Sequence, residues 1–259
     1  MVFHDRKLIK ALCSDYRAIA PDHMGCGLSD KPDDTQYSYS LQQRSLDLEG
    51  LLDSLGISEN ITLVMHDWGG PIGMGYAIRH VGAISRLVAL NTAAFLWPNG
   101  KPLHWSLRVG RNRPFGVLLI RGLNVMVLGA TYLGSQSGLP REVRRSYAAP
   151  YNSWQNRISV LRFVQDIPLC PSDRSYPMLQ NIDENLFRFG QTPLLICWGK
   201  RDFIFDDDLL EQWIKRFPAS EVHQFPDAGH FVFEDDSDSI VALVRDFLHR
   251  HAARVVLDG

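Results

Sequence analysis

Residues 61–65, Ile-Thr-Leu-Val-Met, form a short run without a charge, and His66-Asp67-Trp68-Gly69-Gly70 then break it abruptly. A run of this kind fits a strand covered on both faces, because a half-exposed strand would alternate apolar with polar residues. Such a strand cannot stand alone. It needs neighbours in a sheet and a helical layer on each side, and the flanking sequence supplies candidates for both. From Ser40 onward, Leu41, Leu48, Leu51, Leu52 and Leu55 recur at helical spacing until Gly56 closes the segment. Residues 69–80 read as a second helix, and residues 86–90 repeat the buried-strand pattern.

The alternation extends in both directions. Residues 16–20, Tyr-Arg-Ala-Ile-Ala, read as a strand that ends at Pro21-Asp22, followed by a loop with Gly25, Gly27 and Pro32. Residues 193–198 predict a strand, 207–217 a helix, 221–225 a strand and 237–251 a closing helix. Strands alternating with helices imply an α/β fold, a mostly parallel sheet with helices on both faces. Residues 95–189 break the rhythm with helical pieces that carry Trp97, Trp105, Trp154 and many Arg, separated by Pro98, Pro114, Pro140, Pro150 and Pro168. They predict a helical cap inserted into a core built from residues 1–94 and 190–259.

A chain of 259 residues that is 45% hydrophobic can bury a substantial core, which excludes disorder as its main state. Lys plus Arg total 27 against 29 for Asp plus Glu, spread rather than blocked, so no basic stripe points to nucleic acid. Cys13, Cys26, Cys170 and Cys197 lie far apart without metal-ligand spacing, which argues against a disulfide framework or structural zinc and fits a reducing cytoplasm. The most apolar stretch, residues 116–134, is interrupted by Arg121 and by glycines, so no transmembrane segment is expected. The first ten residues lack the layout of a secretory signal and read as an amphipathic helix already under way. No HExxH, Walker loop or strand-linked GxGxxG is present, so neither metal nor nucleotide cofactor is expected.

In open parallel sheets, functional groups gather in loops beyond the carboxyl ends of strands. Four such loops begin at Asp22, His66, Gly199 and Pro226. The segment Leu63-Val64-Met65-His66-Asp67-Trp68-Gly69-Gly70 is a strand, a sharp turn and a helix, the setting of a nucleophile elbow. Asp67 takes the nucleophile position, while Met65 departs from the small residue usual on the near side. A carboxylate needs no base to be nucleophilic, and the helix N-terminus favours its charge. An Asp that merely caps a helix would look the same in this segment alone. Downstream, Trp198-Gly199-Lys200-Arg201-Asp202 supplies an acid, with Asp206 as its nearest rival, and Pro226-Asp227-Ala228-Gly229-His230 supplies an imidazole. The order nucleophile, acid, His is that of α/β-hydrolase triads. In that reading Asp67 attacks an electrophilic carbon, His230 handles a proton or activates water, and Asp202 orients and stabilises the imidazole. Trp68 offers an indole N–H to a leaving anion and a backbone N–H to an oxyanion, or else packs in the core.

His66-Asp67-Trp68-Gly69-Gly70, together with Asp22-His23-Met24-Gly25-Cys26-Gly27-Leu28-Ser29-Asp30-Lys31-Pro32, resembles the haloalkane dehalogenase branch of the α/β-hydrolases. More narrowly, Leu90-Asn91-Thr92-Ala93-Ala94-Phe95, Pro150-Tyr151-Asn152-Ser153, Asn156-Arg157-Ile158, Arg162-Phe163-Val164-Gln165-Asp166-Ile167-Pro168-Leu169 and Arg201-Asp202-Phe203 resemble the β-lactone decarboxylases of bacterial long-chain olefin biosynthesis. The resemblance runs nearly end to end. It implies an α/β-hydrolase fold, the same triad of Asp67, Asp202 and His230, no cofactor, and conversion of a cis-3,4-dialkyl-β-lactone to a cis-olefin and carbon dioxide. An apolar small-molecule substrate suits the Leu, Val, Ile and Met of residues 116–134.

Members of this family begin with further strands and carry a His-Gly-Asn-Pro loop that supplies a second oxyanion donor; nothing like it occurs here. Residues 16–20 correspond to the family's fourth strand, so the first strands are expected to be missing, through a misassigned start codon or a real shortening; the former is favoured. Loss of one oxyanion donor typically costs about 100- to 1000-fold in turnover. Two further readings stay open: a haloalkane dehalogenase that hydrolyses an alkyl ester on Asp67, and a weakly active or silent subunit partnering other enzymes of an olefin-forming assembly.

Overall fold

The computed structural model describes residues 3–252 apart from residue 112. Four strands, β1 (Ile61–Asp67), β2 (Ile84–Thr92), β3 (Leu194–Gly199) and β4 (Glu221–Phe225), form one sheet in the order β1-β2-β3-β4. All three pairings are parallel. Helix α1 (Arg6–Leu12) and α2 (Leu41–Ser54) precede β1, and α3 (Gly69–Ala77) links β1 to β2. Ser40 caps α2 by accepting from the Gln43 amide at 3.3 Å.

Between β2 and β3 run α4 (Trp105–Arg111), α5 (Arg113–Gly116), α6 (Val125–Leu133), α7 (Arg141–Ala148), α8 (Ile158–Gln165) and α9 (Tyr176–Asn185). Helix α5 continues into a wide π-turn at Val117–Gly122. Helix α10 (Asp207–Arg216) links β3 to β4, and α11 (Val232–Asp235) and α12 (Ser237–Arg250) close the described chain.

The period of two in the central strands divides the core into two layers. Leu87 and Ala89 of β2, with Leu194, Ile196 and Trp198 of β3, pack towards α2, α3, α9 and α10. Val88, Leu90, Leu195 and Cys197 point the other way, towards Leu8 and Leu12 of α1 and Ile240, Val244 and Phe247 of α12. Each layer is an apolar helix stripe laid on one sheet face, so residues 87–90 of β2 and 194–198 of β3 read as unbroken apolar runs. The helices between β2 and β3 have a small core of their own around Ile120, Leu161 and Val164.

Two expectations are corrected at one edge of the sheet. Residues 16–20 form no strand, and among the described residues none of 17–20 makes a backbone–backbone hydrogen bond. Among the described residues, strand β1 pairs only with β2, and no ladder is formed on its far side. For the same reason β1 is less covered than its composition predicts: Val64 is 38% exposed. A continuous apolar run states what a strand can bury; its place in the sheet decides what it does bury.

Because all four strands are parallel, the loops after β1, β2, β3 and β4 emerge at one end of the sheet. That end carries the candidate site.

Candidate active site

At the end of β1 the pairing with β2 slips between His66 and Asp67, and Asp67 takes a φ of +48°, a left-handed conformation uncommon outside glycine. Helix α3 begins immediately after it, with Trp68 in the N-cap position. The strained strand–turn–helix holds the Asp67 carboxylate over the start of a helix. Two glycines make it possible. A Cβ on Gly70 would collide with the Thr92 hydroxyl and lie 2.7 Å from the Ala93 carbonyl, so only a residue without a side chain lets the helix approach the end of the neighbouring strand there. One turn on, Gly73 leaves room for Met65, whose sulfur would sit 3.3 Å from a Cβ. That is how a large residue is accommodated where the usual motif has a small one. The Thr92 hydroxyl donates to the Asp67 carbonyl and ties the elbow to β2.

Asp67, Asp202 and His230, far apart in the chain, converge here. His230 Nδ1 donates to Asp202 Oδ2 at 2.8 Å, and Nε2 faces Asp67 Oδ2 at 4.0 Å. Asp202 is buried, and its other oxygen accepts from the amides of Ile204 and Phe205 at 2.8 and 3.1 Å. Its competitor from the sequence, Asp206, pairs with Lys101 instead. Burial disfavours the charged imidazole, but the adjacent Asp202, with its charge and hydrogen bond, and then Asp67 outweigh it and raise the His230 pKa to about 9. Burial also raises the Asp67 pKa, against the opposing pull of His230. With Asp67 ionised, His230 is therefore held as a cation at neutral pH.

Several positioning groups were not legible beforehand. His66 donates from Nε2 to the His230 carbonyl at 2.8 Å, and burial, with the charges of His4 and His230, keeps its pKa well below the ordinary histidine range. The His4 ring stacks on His66 with centroids 4.4 Å apart. Phe205 stacks on His230, its ring 9° from parallel. Asn91 bridges β2 to the start of the acid loop, donating to the Gly199 carbonyl at 3.0 Å and accepting from the Gly199 amide at 2.7 Å. Asp235 accepts from the amides of Gly229, Gln136 and Ser137 at 2.8, 3.0 and 2.9 Å, fastening the histidine loop to the segment after α6. Asn91 stood in a motif already singled out; nothing in the local pattern marked Asp235.

Trp68 packs against Phe163 with ring centroids 5.2 Å apart, and its indole N–H has no hydrogen-bond partner among the described residues. Both Trp68 and Asp67 border a cavity of about 1150 Å³. It extends in one direction under the helices between β2 and β3, past Ile120, Met126 and Val127, and in the other along the free edge of β1. The walls are mostly aliphatic and aromatic, and Asp67 and His230 are the charged groups set at the elbow. Among the described residues no cluster of three or more His, Cys, Asp or Glu could hold a metal.

Residues 2–237 match the alpha/beta hydrolase fold family. A cis-3-alkyl-4-alkyloxetan-2-one decarboxylase from Shewanella oneidensis is 50% identical over 247 residues, 95% of this chain and 78% of that protein. A decarboxylase of the same name from Xanthomonas campestris pv. campestris is 45% identical over 251 residues, 95% of this chain and 84% of the relative. Haloalkane dehalogenase 2 of Mycobacterium bovis is 26% identical over 92% of this chain and 81% of its own length. The crystal structure of a haloalkane dehalogenase from Agrobacterium tumefaciens superposes with a TM-score of 0.85 at 22% identity, covering 96% of this chain and 86% of the other. In sequence and in fold, this chain belongs to the alpha/beta hydrolase family.

Proposed function

We propose that the chain is a β-lactone decarboxylase, opening cis-3,4-dialkyl-β-lactones with Asp67 and releasing a cis-olefin and carbon dioxide. The observation that carries this reading is the 50% identity to a cis-3-alkyl-4-alkyloxetan-2-one decarboxylase across 95% of the chain. The site agrees in chemistry: a strained carboxylate nucleophile, an imidazolium beside it, and an apolar cavity with room for alkyl chains. In this scheme Asp67 attacks the ring carbon that bears the oxygen, forming a C–O bond to Asp67 as the alkyl C–O bond of the lactone breaks and frees its carboxylate. His230, cationic while Asp67 is charged, steadies the negative charge that develops. The bond joining that freed carboxylate to its carbon then breaks, its electron pair forms the C=C bond and expels Asp67 from the neighbouring carbon, so that carbon dioxide leaves and the Asp67 carboxylate is restored with no water consumed. The Trp68 backbone and indole N–H groups are the donors offered to the departing oxygen. The helices of residues 95–189 serve as the cap over this chamber, on a core of residues 1–94 and 190–259.

A haloalkane dehalogenase reading rests on the same carboxylate and on relatives at lower identity. The two differ in what water does: dehalogenation ends with a water oxygen in the alcohol and with free halide. Incubation with a dialkyl β-lactone should yield olefin detectable by gas chromatography, and incubation with 1,2-dibromoethane should release no bromide. Bromide release without olefin would reverse the assignment. Cytoplasmic placement is part of the proposal and is supported by four cysteines without disulfides.

A further inference from the structure

The bent helix pair Pro114–Gly122 and Val125–Leu133 is apolar on two sides at once. Met126, Val127 and Ala130 of α6 line the cavity. On the outside, Phe115, Leu118, Leu123, Leu128 and Tyr132 are exposed, Tyr132 by 65% and Leu118 by 56%. Phe115 and Leu118 lie one turn apart, as do Leu128 and Tyr132, so each segment offers a second apolar stripe. Neither helix is long enough to cross a membrane, and the pair bends by 67°.

Basic side chains surround this face. Residues 98–165 contain ten Lys and Arg against one acid, Glu142, in a chain whose formal net charge is −2. Some of these cations are neutralised, as Arg111 is by Asp173 and Lys101 by Asp206 and Asp208. Arg108, Arg121, Arg141, Arg144 and Arg145 have no carboxylate partner among the described residues. Arg108 borders a shallow hollow with Phe115, Arg144 stacks over Tyr132 at 4.8 Å, and Arg141 and Arg145 are exposed on the adjoining helix α7.

We infer that this face docks on an anionic lipid bilayer, the apolar ridge entering the acyl boundary and the arginines meeting the headgroups. Bare apolar surface ringed by unpaired cations is the pattern of peripheral membrane attachment. A second copy of this chain is the poorer occupant, because a self-complementary contact would set the same excess of positive charge against itself. The inference gives the inner stripe of α6 a purpose under the proposed function, on which this one consequence rests: a dialkyl lactone dissolved in the bilayer would pass between the helices to Asp67 without crossing water.

The test is sedimentation of the intact chain with phosphatidylcholine vesicles prepared with and without phosphatidylglycerol. The wild type should bind the anionic vesicles, weakly bind the neutral ones, and release in high salt. Leu118→Glu/Leu128→Glu and, separately, Arg141→Glu/Arg145→Glu should each weaken binding by about tenfold or more. The first pair lies outside the cavity lining, so turnover of a short-chain, water-soluble β-lactone should be unchanged while turnover of a vesicle-embedded lactone falls. Absence of binding to anionic vesicles, or binding that both double variants leave intact, overturns the proposal. So does self-association abolished by the same substitutions in a protein that ignores vesicles. Vesicle binding by a protein that turns over no β-lactone would uphold the docking and remove the reaction assigned above.

Discussion

His230 stands between two carboxylates that it meets through different nitrogens, and this sets the pH behaviour of the site. Its folded-state pKa of about 9 lies above the ordinary value of 6.5. The interaction therefore stabilises the fold fully below about pH 6.5 and is lost as pH rises through about 9. Thermal midpoints measured from pH 6 to pH 10 should fall more steeply for the wild type than for Asp202→Asn, which lacks the charge that holds the proton. For catalysis, activity requiring ionised Asp67 and cationic His230 should decline above about pH 9, and on the acid side at a pH above the ordinary Asp range, because burial raises Asp67. A kcat/KM profile checks both limbs. Asp202→Asn should also lower turnover by roughly a hundred- to ten-thousand-fold, since the imidazole loses both orientation and charge support.

At the scale of elements, the elbow and the histidine loop depend on contacts that leave no slack. Gly70→Ala would drive a Cβ into Thr92 and the Ala93 carbonyl, where α3 crosses the end of β2. It should cost about 1–3 kcal/mol or more, read by denaturant unfolding, because strand and helix cannot both stay in place. Asp235→Ala removes the acceptor for three amides and the Ser135 and Ser137 hydroxyls at once. A loss of about 2–3 kcal/mol is expected for bonds to a charged group, with turnover falling further than stability because His230 lies one residue beyond Gly229. Asp235→Asn, which keeps half of the acceptor capacity, should recover part of both.

At the scale of the whole molecule, the sheet is asymmetric: β2 and β3 are sealed between helical layers, while among the described residues nothing pairs with the far edge of β1. An exposed Val64 on that edge invites pairing with another chain. Val64→Lys should reduce concentration-dependent association in light scattering without changing the far-ultraviolet spectrum. The same asymmetry separates what was legible from what was not. The buried runs of β2 and β3, the helix of Leu41–Ser54 and the closing helix Ser237–Arg250 followed from periodicity, because their environments match what their residues can bury. Residues 16–20 carry strand-like residues yet remain irregular, because a strand is completed by a hydrogen-bonded neighbour and not by its own composition. Asp67 and His230 could be nominated from turn position and chain order. That Asp202 rather than Asp206 meets the imidazole needed coordinates, since four residues separate the two acids and only packing decides which one is turned inward. By itself, then, the sequence determined the alternating elements, the strained carboxylate turn and the chemical types that meet there, since these depend on local spacing and side-chain chemistry. The tertiary structure alone decided the free edge of β1, the Asp235 clamp and the doubly apolar α6, because each depends on what neighbour a residue finds far away in the chain.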